Sequence, residues 1–167
     1  NLDNVSSGVN QKIAEIIGLK NLQVLQPKRN LIYKLVFYCP PESSEKVRNA
    51  LFDAGAGKIG NYDECNFSFK GEGTFRGNEF SNPVVGEKGK REKVIEEQLE
   101  MVFPFYLEQK IISTLFSVHP YEEVAYEISS LENAHQQVGA GIIGELPQET
   151  EEMAFLDILS KIFKYSS

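Results

Sequence analysis

The sequence predicts an α+β protein, two helices laid on one face of an antiparallel sheet, with further helical and strand-like segments outside that unit. Three observations lead there. Between residues 30 and 130 the hydrophobic pattern runs strand, helix, strand, strand, helix, strand. Pro or Gly punctuates the changes of period, as at Pro40-Pro41 and Gly55. The segments outside that stretch, a helix and strand before it and a strand and helix after it, have no place in its order.

Each element has its own reason. LIYKLVFY (Leu31–Tyr38) is nearly all apolar, as a central strand covered by its neighbours must be. Pro40-Pro41 stops it, and Ser43 or Ser44 offers a helix N-cap. Val47, Leu51 and Ala54 then form a helical stripe that Gly55 ends. In ECNFSFK the apolar Cys65, Phe67 and Phe69 alternate with polar residues, which predicts a half-buried strand. A Gly-rich connection covers residues 71–90. In KVIEEQLEMVF, Ile95, Leu99, Met101 and Phe103 share one parity, broken by Glu97. Pro104 is expected to start the second helix, with Leu107, Ile111, Ile112 and Leu115 inward, and EVAYEI to close the unit with Val124, Tyr126 and Ile128 on one face. This order is the ferredoxin-like split βαβ plan.

The flanks read as parts of an interrupted outer domain. SGVNQKIAEIIGL predicts a helix with Ile13, Ile16 and Ile17 inward, followed by the strand NLQVLQ. VGAGIIGEL predicts a Gly-rich strand, followed by a helix carrying Met153, Phe155, Leu156, Leu159 and Phe163. The expected boundaries are 1–29, 30–130 and 131–167. The chain opens Asn-Leu-Asp without an initiator Met, as a processed product or a piece of something longer would.

With 167 residues, 41% hydrophobic and 25% charged, the chain can bury a core. The net charge of −7 argues against nucleic acid, which needs a basic face. The one basic cluster, Lys88, Lys90, Arg91 and Lys93, is interleaved with Glu87 and Glu92 and reads as a solvated arm. No apolar run approaches a membrane span. Cys39 and Cys65 lack the spacing of a redox pair or zinc site, and a reduced, cytoplasmic setting is expected.

Three motifs carry chemistry. GEGTFRG, with Gly71, Gly73 and Gly77, reads as a hairpin turn using positive φ angles, while Arg76 keeps an anion contact open. Gly139, Gly141 and Gly144 match the spacing of a dinucleotide turn, but Ile142 and Ile143 between them read as strand. HPYEE offers imidazole and carboxylate ligands in His119 and Glu122, two where a metal needs three or four. Its favoured reading is a junction: Pro120 stops the helix, His119 bonds near the helix end and Tyr121 packs beside it. His135 reads as part of a polar linker.

HPYEEVAYEI, GTFRG and the Glu-rich strand Glu92–Glu100 together resemble a known insert. So do NLD with SSGVNQKIAEIIGL ahead of them and GAGIIGELPQ behind. The whole chain resembles the larger bacterial members of the dinuclear-metal family called GTP cyclohydrolase 1 type 2 homologues, or Nif-three-like proteins. Their inserted domain is similar in fold to the PII signalling proteins and to the CutA copper-tolerance proteins, which share a His-Pro-Tyr-Glu motif.

The resemblance implies a pair of divalent ions (zinc, iron or manganese) in the full-length family, with Asp3 as one metal ligand. The other ligands lie outside this sequence, so the chain alone is expected to hold no metal. It further implies trimers stacked into hexamers. The expected function is a fragment of a dinuclear-metal, hydrolase-like protein whose insert regulates, oligomerises or gates a cavity. The alternative is a stand-alone PII-like trimer that binds a small ligand or metal ion without catalysis. His119, Tyr121, Glu122 and Arg76 are the site candidates within the insert.

Overall fold

A computed structural model of the chain describes residues 8–82 and 84–164. The elements run α1 (Val9–Ile17), β1 (Lys20–Lys28), β2 (Ile32–Cys39), α2 (Pro41–Ala54), β3 (Asn66–Phe75) and β4 (Glu92–Pro104). A 3-10 turn (Phe105–Leu107), α3 (Glu108–Val118), β5 (Tyr126–Leu131), β6 (His135–Glu145) and α4 (Glu152–Phe163) follow. They form a mixed α/β protein with antiparallel sheets. The chain divides into two compact units, Asn30–Glu132 and the described residues on either side of it. No helix among the described residues is long and apolar enough to cross a membrane.

In the Asn30–Glu132 unit the strand order is β3-β4-β2-β5, with every neighbouring pair antiparallel. β2 is central because β4 pairs along one edge and β5 along the other. Its side chains alternate between two faces. Leu35, Phe37 and Cys39 point into a core completed by Leu99, Met101 and Phe103 of β4. Val47 and Leu51 of α2 and Ile111 and Leu115 of α3 cover that face, each fully buried. The opposite face carries Lys34, Val36, Tyr38, Phe67 and Phe69, and among the described residues both helices of the unit lie on the other side.

The aromatic side of β3 therefore faces away from the helices. Phe67 is 65% exposed and Phe69 47%, whereas a half-buried apolar side was expected. The register explains the inversion: Ser68 opposes core residue Leu99, which puts Ser68 on the helix side and Phe67 and Phe69 on the open side. Ile95 is 57% exposed because β2 ends at Cys39, opposite Glu97, and leaves the start of β4 beyond its reach.

Two boundaries also differ from expectation. The helix α2 begins at Pro41 rather than being capped by a serine. Proline suits the first helical position, where its missing N–H would be unpaired anyway. Ser44 is buried instead, with its hydroxyl donating to the Pro40 carbonyl at 3.3 Å. Pro104 ends β4, and α3 starts only at Glu108 after the 3-10 turn.

The second unit pairs β1 with β6 as an antiparallel ribbon, with α1 against β6 and α4. The GAGIIG glycines lie inside β6. A Cβ at Gly139 would collide with the Gln26 carbonyl, so this spacing serves close strand approach rather than a nucleotide turn. His135 begins β6 opposite Lys28 and is not in a linker. Ala14, rather than the isoleucines beside it, is the buried residue of α1. Ile13 and Ile16 are exposed, as are Met153, Leu156 and Phe163 of α4.

The core predicts its own weak point. Replacing Phe37 by Ala should cost about 3–5 kcal/mol, from lost burial plus the cavity left behind. A lower urea midpoint at unchanged slope would show it.

Candidate functional site

Helix α3 stops at Val118 because the next residue precedes a proline, which pushes it out of helical geometry. His119 accordingly sits at φ −69° and ψ 139° while its N–H still bonds the Leu115 carbonyl at 3.0 Å. That backbone setting turns the imidazole inward, where it is 8% exposed. Its Nε2 donates to the Tyr38 carbonyl at 2.9 Å, and its Nδ1 accepts the Tyr121 N–H at 3.1 Å. A carbonyl only accepts and an N–H only donates, so these two bonds fix the neutral tautomer with the proton on Nε2. The ring stands edge-on to Phe37 and Tyr121. Burial holds its pKa below the ordinary histidine value, against the opposing pull of the Tyr38 carbonyl and Glu96. Neither ring nitrogen keeps a free lone pair for a metal.

Tyr121 and Glu122 then point to different partners. Burial pushes the Tyr121 hydroxyl above its usual range, and the nearby Glu96 carboxylate adds to the shift. Glu122 Oε1 accepts the backbone N–H of Asn82 at 2.9 Å, a bond between residues far apart in the chain. Together these contacts bring the junction, the end of the β3–β4 arm and the loop after β3 to one place. Between them lies a cavity of about 320 Å³, bordered by Phe75, Val84, Val85, Glu96, Tyr121 and Glu122 among others. A second cleft of about 360 Å³ opens on the uncovered sheet face between Tyr38, Phe69, Gly71 and Gly73.

Glu96 borders both clefts, and the sequence pattern gave it no distinction. It lay among the polar residues of a strand. The signal that would have found it is register: Gly71 opposes Glu96 and Gly73 is its diagonal neighbour. The Glu96 carboxylate lies against Gly73, where a Cβ would displace it. Gly71 and Gly73 are thus strand residues with no positive φ, contrary to the expected turn. The positive φ angles of this arm fall at Gly86 and Gly89.

The remaining candidates separate. Arg76 is exposed between two residues that line the first cavity but does not line it. Asp3 lies outside the described residues. Among the described residues no group of three or more His, Cys, Asp or Glu is placed to hold a metal. The basic cluster is engaged locally: Lys88 bonds the Glu79 carbonyl, Lys90 pairs with Glu87 and Lys93 with Glu72. Both cysteines are free thiols.

These features describe an α/β protein in which one compact unit interrupts another along the chain, with two clefts on the interrupting unit. Comparison with known proteins supplies the family. The family model Duf34/NIF3 (NGG1p interacting factor 3) matches residues 1–167, and the chain belongs to that family. A GTP cyclohydrolase 1 type 2 homolog of Halalkalibacterium halodurans is 39% identical over 164 residues, covering 98% of this chain and 44% of its relative. One from Bacillus subtilis is 43% identical over 150 residues, 89% of this chain and 40% of that protein. The crystal structure of a Bacillus cereus protein related to NIF3 superposes with a TM-score of 0.81 at 38% identity, covering 99% of this chain and 44% of that one. The chain thus spans less than half the length of the relatives it matches.

His119 makes a pH-dependent contribution to stability. Its folded pKa is depressed, so the unfolded chain takes up the proton more readily. The stabilisation is complete above pH 6.5 and is lost as the pH falls through the folded value. His119→Ala should cost about 1–3 kcal/mol near neutral pH by leaving buried partners unmet. Urea midpoints measured at several pH values should also show a flatter profile in His119→Gln than in the parent.

Proposed function

We propose that Asn30–Glu132 is a ferredoxin-like, PII/CutA-like domain that assembles and regulates a longer dinuclear-metal, hydrolase-like protein. The strand order β3-β4-β2-β5 with both helices on one face supports the ferredoxin-like plan. The single observation that carries the assembly role is the uncovered sheet face. Tyr38, Phe67 and Phe69 are 42%, 65% and 47% exposed there, around a partly buried Lys34–Glu100 ion pair. An aromatic face of this kind, rimmed by charge, suits a second copy of the same sheet. The resemblance supports trimers stacked into hexamers.

The residues before Asn30 and after Glu132 are the flanks of the outer, metal-binding domain in this reading. A metal pair bound in the longer protein would supply an activated water. Asp3 is the one ligand of the implied set that this sequence contains, and one carboxylate does not hold two ions. The chemistry therefore belongs to the longer protein, and its site in the cytoplasm fits two free thiols. The cavity beside HPYEE supports a second reading, a trimeric module that binds a small ligand without catalysis.

Size-exclusion chromatography with light scattering distinguishes assembly from its absence. The purified chain is expected to run as a trimer or a multiple of one, and Phe67→Asp with Phe69→Asp should release monomers of unchanged circular dichroism. A parent chain that stays monomeric at every concentration would overturn the assembly role. Metal analysis of the same sample should find no stoichiometric zinc, iron or manganese. Metal retained at one ion per chain would instead place a complete site within these residues.

A further inference from the structure

We propose that the cleft at Gly71 and Gly73 binds a guanidinium group carried by a small molecule, with Glu96 and Gln98 as its acceptors. The sheet register builds the site. On the open face Gln98 of β4 has Tyr38 of β2 opposite it on one side and Phe69 of β3 on the other, an aromatic row across three strands. Glu96 stands one step further along the same face, about 6.8 Å away. Its β3 partner is Gly71, and β2 has already ended at Cys39, opposite Glu97. Behind the aromatic row the carboxylate therefore meets no side chain from either adjoining strand at its own level. The cleft of about 360 Å³ lies at this step.

The two glycines have different reasons. At Gly73 a Cβ would strike the Glu96 carboxylate. At Gly71 a Cβ would meet nothing within 4 Å, and the φ angle is not positive. Neither packing nor backbone geometry calls for glycine there. Glycine inside a strand weakens it, and the use that is left is to let another molecule come close.

The polar groups choose the visitor. Glu100 accepts Lys34 Nζ at 3.2 Å and Gln98 Nε2 at 2.8 Å. A carboxylate only accepts, so the amide nitrogen of Gln98 must face Glu100 and its Oε1 is left as an acceptor. Glu72, at the rim, is already paired with Lys93 at 2.7 Å. Among the described residues no lysine or arginine pairs with Glu96. One uncompensated carboxylate, an amide oxygen and two aromatic side chains select a flat cation. Guanidinium has five N–H donors in one plane and no acceptor. Two parallel N–H groups match a carboxylate, and the plane stacks on an aromatic ring. An ammonium ion is a point charge and uses neither feature. The site does not rest on the assembly role, since Glu96 and both glycines lie beyond the patch around Lys34 and Glu100.

Isothermal titration calorimetry of the 167-residue chain with L-argininamide and its neutral urea isostere, L-citrullinamide, tests the site. Argininamide should bind saturably, and citrullinamide about tenfold more weakly, the scale of one hydrogen bond to a charged group. Glu96→Gln should weaken argininamide by a similar factor. Gly71→Val should do so by filling the cleft, in a chain of unchanged circular dichroism, because its side chain enters open space. Glu97→Gln, on the helix side with its carboxylate bonded by Ser68, should match the parent. No saturable binding, equal binding of the two compounds, or full affinity in Gly71→Val would each overturn the proposal. Light scattering on the same samples separates a free ligand from an arginine of a second copy. The mass should stay constant through the titration. Assemblies that split as argininamide binds would overturn the small-molecule assignment, because the cleft would then hold the neighbour's guanidinium.

Discussion

The hydrogen bond from His119 Nε2 to the Tyr38 carbonyl is where the Asn30–Glu132 unit is tied off. Tyr38 lies near the end of the central strand, and His119 is the first residue beyond α3. The imidazole spans the gap only as the neutral tautomer, because its other nitrogen must accept from Tyr121. That second bond sets the backbone of Tyr121, whose hydroxyl then comes near Glu96. Glu122 follows and reaches Asn82. One ring thus fixes the end of a helix, the end of a strand and the floor of a cavity. Asparagine or glutamine has comparable polar atoms, but neither fills the aromatic niche beside Phe37.

Much of this architecture was legible because burial is local in its demands. A run such as LIYKLVFY has few ways to sit except between neighbours, and it lies between β4 and β5. The helical stripe of Val47, Leu51 and Ala54 is buried as its spacing predicts. Misreadings came where one residue serves either of two elements. Pro40-Pro41 both stops β2 and opens α2, while Pro104 closes β4 and leads into a 3-10 turn rather than an α-helix. Alternation in β3 showed that one parity is aromatic, but parity alone does not say which side holds the helices. Only the pairing of Ser68 with Leu99 decides that, and pairing is long-range.

The site was legible in half. HPYEE announced a junction through Pro120 and the chemistry of His119, and both behave as junction residues here. Glu96 and Asn82 carry no sequence signal of comparable strength. Each matters because a distant segment arrives beside it: Tyr121 in one case, Glu122 in the other. The glycines beside Glu96 read in sequence as a turn but lie in β3. Their role is clearance, since a side chain at Gly73 would occupy the space of the Glu96 carboxylate.

The two thiols differ in a way that gives an experimenter a handle. Cys39 is completely buried, and desolvation with the nearby Glu42, Glu96 and Glu97 pushes its pKa up to about 11. Thiolate is the reactive form, so at neutral pH Cys39 is both hidden from electrophiles and unreactive toward them. Cys65 is partly exposed just ahead of β3, its thiol turned to the Asp63 carbonyl. A maleimide dye added to the folded protein therefore has one natural point of attachment. It sits at the root of the arm, ready to report on that arm by fluorescence without an engineered cysteine.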